Sequence, residues 1–153
     1  MGSITYKKMD LFSAPKDSIL VHSCNAKGVW GSGIAVEFKK RFPGVFLEYN
    51  KYCRQLGDVG IAVLVPDKNH YVGNLIASSG YADTLDTKDE ILVNTTLALN
   101  NLCYNIEQKG LEERTVYSNK FNSGLFKVPW NETEKILKVF VDRYNLKWVV
   151  CEQ

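Results

Sequence analysis

The sequence predicts a three-layer α/β/α fold: helices on both faces of a central six-stranded sheet, mixed but largely parallel. Three observations predict it. Strand-like and helix-like segments alternate along 153 residues with no linker or low-complexity tract. The strand-like segments are short apolar runs bounded by turn residues, the pattern of strands covered on both faces. One pair of neighbouring strands, within 59–78, is joined by a short turn and reads as an antiparallel hairpin, which makes the sheet mixed.

The elements follow in order. SITYKKM (3–9) alternates like a half-exposed strand, and SILVHS (18–23) reads as a buried one. After a glycine-rich stretch, Ile34, Ala35, Phe38 and Phe42 share a helical face, and Pro43-Gly44 stops that helix. A further helix over roughly 45–56 carries Val45, Leu47, Tyr49 and Tyr52 and ends at Gly57. VGIAVLV (59–65) and HYVGNLIAS (70–78) form the hairpin around Pro66-Asp67-Lys68-Asn69.

The clearest helix starts at Thr87 and Glu90, which fit a capping box. Its core stripe is Ile91, Thr95, Ala98, Leu102 and Ile106, and Gly110 ends it. RTVYSN (114–119) is a strand. NETEKILKVFVDRY is a helix with Asn131 and Glu134 as a second capping pair and Ile136, Leu137, Phe140, Val141 and Tyr144 facing inward. LKWVVCE (146–152) closes the sheet.

Composition narrows the function. Apolar residues make up 45% and charged residues 24%, the balance of one globular domain spanning 1–153. Such a chain buries about two-thirds of its unfolded surface and needs no disulfides. The net charge of +2 gives no compositional case for nucleic-acid binding. The basic runs at Lys7-Lys8 and Lys39-Lys40-Arg41 read as solvated faces. No apolar stretch approaches a membrane span, and Met1 to Tyr6 lacks a signal-peptide core. A reducing cytoplasm is the expected setting, or the nucleocytoplasm of a eukaryote, with the chain as a monomer. Cys24, Cys53, Cys103 and Cys151 form no CxxC pair, and His22 and His70 are the only histidines, so no metal site and no cofactor are expected. The thiols are expected to pack as small hydrophobes.

Chemistry concentrates in two loops. HSCNAKGVWGSGIA (22–35) and NSGLFKVPW (122–130) each follow a strand and lead into a helix. In a largely parallel sheet both belong at the carboxyl edge, where ligands bind. Gly28, Gly31 and Gly33 allow close backbone approach, Ser32 adds a hydroxyl, and the helix start offers free N–H groups to an anion. Asn122, Ser123 and Gly124 repeat the recipe, with Phe126 as an aromatic platform. Two facing amide-rich loops suit a diphosphate with a sugar against Phe126. The spacing is neither a P-loop nor a GxGxxG fingerprint. Cys24 or Ser23 as nucleophile is the competing reading, but no arginine lies between 24 and 40 to hold a phosphate for a cysteine phosphatase, and HSCNA is not a nucleophile elbow.

The chain resembles a macro domain, the ADP-ribose-binding module, over nearly its whole length. ITYKKMDLF, ILVHSCNAKGVWGSGIAVEFKKRFP and NSGLFKVPWNETEKIL carry the likeness. HSCN, WGSGIA and NSGLFKVPW together are most similar to the ADP-ribose 1″-phosphate phosphatase branch. The resemblance implies that Asp10 accepts a hydrogen bond from the adenine amino group and that the Leu11 backbone touches the base. It implies that Asn25 holds the distal ribose, and that Gly31, Ser32, Gly33 and Ile34 cradle that ribose and its 1″ substituent. Asn122, Ser123, Gly124, Leu125 and Phe126 correspond to the diphosphate loop, and Trp30 would wall off the 1″ position. His22 and Asn25 are the catalytic candidates, His22 as an acid–base or orienting group.

Some residues depart from the family pattern. Met9 stands where a glycine is usual before the acid, and the proline common before the second loop is replaced near Asn119. NLIASSG has no lysine, and Phe126 stands where the glycohydrolase branch has an aspartate, so that branch's covalent lysine chemistry is not expected.

The expected reaction is hydrolysis of ADP-ribose 1″-phosphate to ADP-ribose and phosphate. The alternatives are removal of ADP-ribose or an acyl-ADP-ribose adduct from protein or nucleic acid, and ADP-ribose binding without turnover. The expected partners are therefore ADP-ribose and its 1″-substituted derivatives, with no membrane, and nucleic acid only as an ADP-ribosylated substrate.

Overall fold

A computed structural model describes residues 1–153. Six strands form one sheet: β1 (Ser3–Lys8), β2 (Ile19–Asn25), β3 (Ala62–Pro66), β4 (Tyr71–Ser78), β5 (Val116–Ser118) and β6 (Lys147–Glu152). Their order is β1-β6-β5-β2-β4-β3. All neighbours are parallel except β3 and β4, which are antiparallel. The fold is thus the expected mixed, largely parallel sheet. Helices α1 (Ile34–Arg41), α2 (Pro43–Gln55), α3 (Lys88–Gln108) and α4 (Trp130–Tyr144) cover it. None is long and apolar enough to cross a membrane.

The period-two alternation of the strands builds two cores. Ile19 and Val21 of β2, Val116 of β5 and Trp148 and Val150 of β6 pack with α3 and α4. Leu20, Tyr117, Val149 and Cys151 point to the other face and pack with Phe38 of α1 and Val45 and Tyr49 of α2. The whole α3 stripe from Ile91 to Ile106 is buried. Its capping box forms: the Thr87 N–H donates to Glu90 Oε1 at 2.9 Å, and the Glu90 N–H donates to Thr87 Oγ1 at 3.2 Å.

Three expectations need correction. Strand β2 runs on to Asn25 rather than stopping at Ser23, which places His22 well inside it. Pro43 not only ends the first helix but opens α2, because a residue without an N–H suits a first helical turn. Asn131 and Glu134 form no cap: α4 already begins at Trp130 behind Pro129, whose fixed φ starts the helix early. Glu134 instead accepts the Tyr6 hydroxyl and lies 3.8 Å from Lys138 Nζ.

Candidate active site

Parallel strands β1, β6, β5, β2 and β4 all end at one edge, and the two glycine loops lie there side by side. The first leaves β2 through Asn25. Its side chain shapes the turn: Oδ1 accepts the N–H groups of Lys27 at 3.0 Å and Val29 at 3.4 Å, and Nδ2 donates to the Val29 carbonyl at 2.9 Å. Helix α2 holds the same turn from behind. The Tyr49 hydroxyl donates to the Asn25 carbonyl at 2.6 Å, and Asn50 Nδ2 donates to the Gly28 carbonyl at 3.1 Å. Gly28 sits at φ +77°, which side chains rarely adopt, and a Cβ there would lie 2.8 Å from Asn50 Nδ2 and so displace the amide that holds the Gly28 carbonyl.

Beyond the turn, Gly31, Ser32 and Gly33 are exposed, and their N–H groups have no partner in the protein. Gly33 caps α1 with φ 63° and ψ −148°, a backbone conformation essentially reserved for glycine. The unpaired amides therefore run directly into the positive end of a helix.

The second loop is fixed to the first. The Asn122 N–H donates to Ser23 Oγ at 3.2 Å. The Asn122 side chain turns inward and donates to Thr95 of α3 at 2.9 Å and Thr133 of α4 at 3.3 Å. Gly124, Leu125 and Phe126 follow with unpaired N–H groups. A Cβ on Gly33 would touch Leu125 Cδ1 at 3.4 Å, so the two loops come into contact there. Phe126 is half-buried, resting on the small apolar cluster of Ala77, Ile91 and Val128.

Beneath the first loop lies an aromatic cluster that contains two of the expected site residues. His22 is completely buried, stacked on Phe38 with ring centroids 3.8 Å apart. Its Nε2 is 2.7 Å from Asn74 Oδ1 of β4. Burial holds the imidazole neutral, pushing its pKa down to about 4, and the Asn74 bond only partly opposes this. Trp30 is 3% exposed and stacks on Tyr49 at 4.9 Å, with its edge to His22. The cause is the strand register: Leu20, His22 and Cys24 all face α1 and α2, and that face is covered. His22 and Trp30 are therefore covered by the protein, and the side chain of Asn25 is hydrogen-bonded within its own loop. Cys24 is buried too, and burial pushes its thiol well above the ordinary value. Both the burial and the raised pKa disfavour a nucleophilic thiolate at that position.

A second part of the edge, around the ends of β1, β6 and β5, forms a cleft of about 630 Å³. Asp10 and Leu11 form one wall, with Asn119 and Cys151 across from them. Asp10 Oδ1 accepts the Phe12 N–H at 3.0 Å, and its other oxygen has no partner in the protein. Arg41, 3.4 Å from Glu37, lies over the Phe12 ring at 4.7 Å and closes the side. Burial, reinforced by the Asp10 charge, raises the Cys151 thiol to about 11.

The structure thus gathers Asp10, Leu11, Gly31, Ser32, Gly33, Ile34, Ser123, Gly124, Leu125 and Phe126 along one open edge, and puts His22, Trp30 and Asn122 behind it. The sequence reading missed Tyr49 and Asn50 as loop holders. Their signal was weak: adjacent polar-tipped residues on an amphipathic helix, with nothing to say which loop they would meet.

The macro domain family model matches residues 21–137. The chain is 33% identical over 154 residues to a protein of Chaetomium globosum named ADP-ribose 1″-phosphate phosphatase, covering 88% of this chain and 82% of that protein. A protein of Debaryomyces hansenii with the same name is 34% identical over 177 residues, covering 96% and 99%. Among solved structures, the macrodomain of Mycobacterium tuberculosis DarG superposes with a TM-score of 0.85 at 23% identity, over 100% of this chain and 99% of that one.

Proposed function

The chain belongs to the macro domain family, and from that premise we propose that it hydrolyses ADP-ribose 1″-phosphate to ADP-ribose and inorganic phosphate. One observation carries the reading: two loops, each with a run of unpaired backbone N–H groups, meet at Gly33 and Leu125. Such paired donors suit a ligand with phosphate at more than one position. The fungal relatives named above supply the substrate class.

In this reading the cleft at Asp10 takes the adenine, whose amino group donates to the free Asp10 oxygen. The N–H groups of 124–126 hold the diphosphate, and Phe126 lies against the distal ribose. The N–H groups of 31–33 and the Ser32 hydroxyl surround the 1″-phosphate. Water adds to phosphorus, the bond from phosphorus to the 1″ oxygen breaks, and that oxygen leaves with one proton of the water. Backbone donors aimed at the phosphoryl oxygens stabilise the charge that develops there, and they need no reorganisation to do so. His22 is a positioning residue: through Phe38 and Trp30 it sets the floor of the first loop. Asn25 positions the same loop from within. A reducing compartment such as the cytoplasm fits four unpaired thiols, three of them buried, and the working unit is taken to be the monomer.

The test is phosphate release from ADP-ribose 1″-phosphate. Steady turnover by the wild type, lowered at least tenfold by Gly33→Ala, supports the reading. ADP-ribose binding without phosphate release overturns it in favour of a reader.

A further inference from the structure

We propose that Arg41 is the base-stacking residue of this cleft: its guanidinium, held over the Phe12 ring, is the flat surface on which the adenine lies. This rests on the reading of that cleft as the base site. Helix α1 sets where Arg41 stands. Ile34, Glu37 and Arg41, spaced i, i+3 and i+7, share one helical face, and all three line the cleft. Ile34 opens the helix directly after the free amides of 31–33. Arg41 closes it two turns on, about 10 Å along the axis from Ile34. The phosphate donors and this cation therefore sit at opposite ends of α1. The contact with Phe12, two residues from Asp10, puts Arg41 at the end expected for the base.

A surface arginine with a carboxylate one turn back is ordinary, and such a pair adds little stability. The second contact distinguishes this one. Glu37 takes only the Nε–H, at 3.4 Å. The guanidinium carbon lies over the Phe12 ring, 4.7 Å from its centroid. Neither Nη group makes a hydrogen bond to the protein, and half of the side chain stays open. One side of the guanidinium is thus backed by an aromatic ring while the residue still lines the cleft.

Phe12 is the only aromatic side chain that lines this cleft. Phe38 and Phe42 already pack against its ring, with centroids at 4.9 and 6.4 Å, and Arg41 lies over it. An entering base therefore meets the arginine. A guanidinium suits that place, because it is planar, delocalised and weakly hydrated, and it stacks on π-faces. The resulting order is Phe12, Arg41, base. Asp10 reads the amino edge of the base, and Arg41 takes its face.

The experiment is calorimetry with ADP and with inorganic pyrophosphate, which has no base. The proteins are the wild type, Arg41→Lys, Arg41→Tyr and Asp10→Ala, with phosphate release from ADP-ribose 1″-phosphate measured alongside. Arg41→Lys keeps the charge and loses the plane, and Arg41→Tyr keeps a plane and loses the charge. Arg41→Lys should bind ADP about fivefold more weakly than the wild type, with Arg41→Tyr within about twofold of it. Pyrophosphate should bind the wild type and both Arg41 variants alike, reporting an intact phosphate end. Wild-type ADP affinity in Arg41→Lys overturns the proposal, since a point charge then suffices. Equal losses in Arg41→Lys and Arg41→Tyr overturn it as well, since the plane then contributes nothing. If Asp10→Ala weakens ADP and neither Arg41 variant does, only this proposal falls. If the two Arg41 variants split as expected but the wild type releases no phosphate, the phosphatase reading falls and this one stands.

Discussion

The Tyr49 hydroxyl donates to the backbone carbonyl of Asn25 at 2.6 Å, tying the middle of α2 to the point where β2 becomes the first loop. The same hydroxyl is 3.2 Å from Asn25 Oδ1, and the Tyr49 ring stacks on Trp30. One side chain therefore holds the loop's start and packs against its centre. Tyr49→Phe keeps the stack and removes the bonds, leaving a buried carbonyl with one partner fewer. It should lower stability by about 1–2 kcal/mol in urea unfolding. It should also weaken ADP-ribose binding several-fold in calorimetry, because the loop amides lose their fixed direction. Unaltered binding would separate the clamp from the site.

Gly33→Ala tests the loop itself. Its backbone conformation costs a non-glycine residue about 1–3 kcal/mol, although the added methyl would only make ordinary contact with Leu125 at 3.4 Å. The loop is expected to relax away from this geometry. Phosphate release should fall by at least tenfold while the unfolding midpoint drops only modestly.

The sheet, the helices and the two loops were legible in the sequence because each rests on local pattern: apolar runs, periodic stripes and glycines after strands. The depth of His22 and Trp30 was not. Both sit in a stretch that reads as loop, and only the extension of β2 to Asn25 and the stacking of α1 and α2 over that face carry them inside. Asn131 and Glu134 have capping-box spacing, and Pro129 displaced them by starting the helix earlier. The Tyr49 and Asn50 contacts join residues more than twenty positions apart, a pairing that no local pattern encodes.

His22 gives a pH signature. Its folded pKa, depressed to about 4, lies below the ordinary value near 6.5, so the unfolded chain binds a proton that the folded chain refuses. Stability is complete above the unfolded pKa and is lost as pH falls from about 6.5 towards 4, by about 3 kcal/mol in all. His22→Asn, which retains a donor for Asn74, should flatten that slope. Urea unfolding across this range measures it. Equal slopes in the two proteins would show that the imidazole is not the group responsible.

Asp10 separates recognition of the base from chemistry at phosphorus. Asp10→Ala removes the free carboxylate oxygen at the cleft, together with the bond to the Phe12 N–H. ADP-ribose 1″-phosphate should show a KM raised about tenfold or more, with kcat within a few-fold of the wild type. A collapse of kcat at unchanged KM would place Asp10 at the reacting centre instead.

The most direct measurement is a side-by-side assay of the purified wild type on ADP-ribose 1″-phosphate, an ADP-ribosylated protein and ADP-ribosylated DNA, with inorganic phosphate and free ADP-ribose as readouts. Catalytic release of phosphate from the first substrate, with little or no release of ADP-ribose from the other two, is the predicted result. Release of ADP-ribose from protein or DNA with no phosphate from ADP-ribose 1″-phosphate would contradict it.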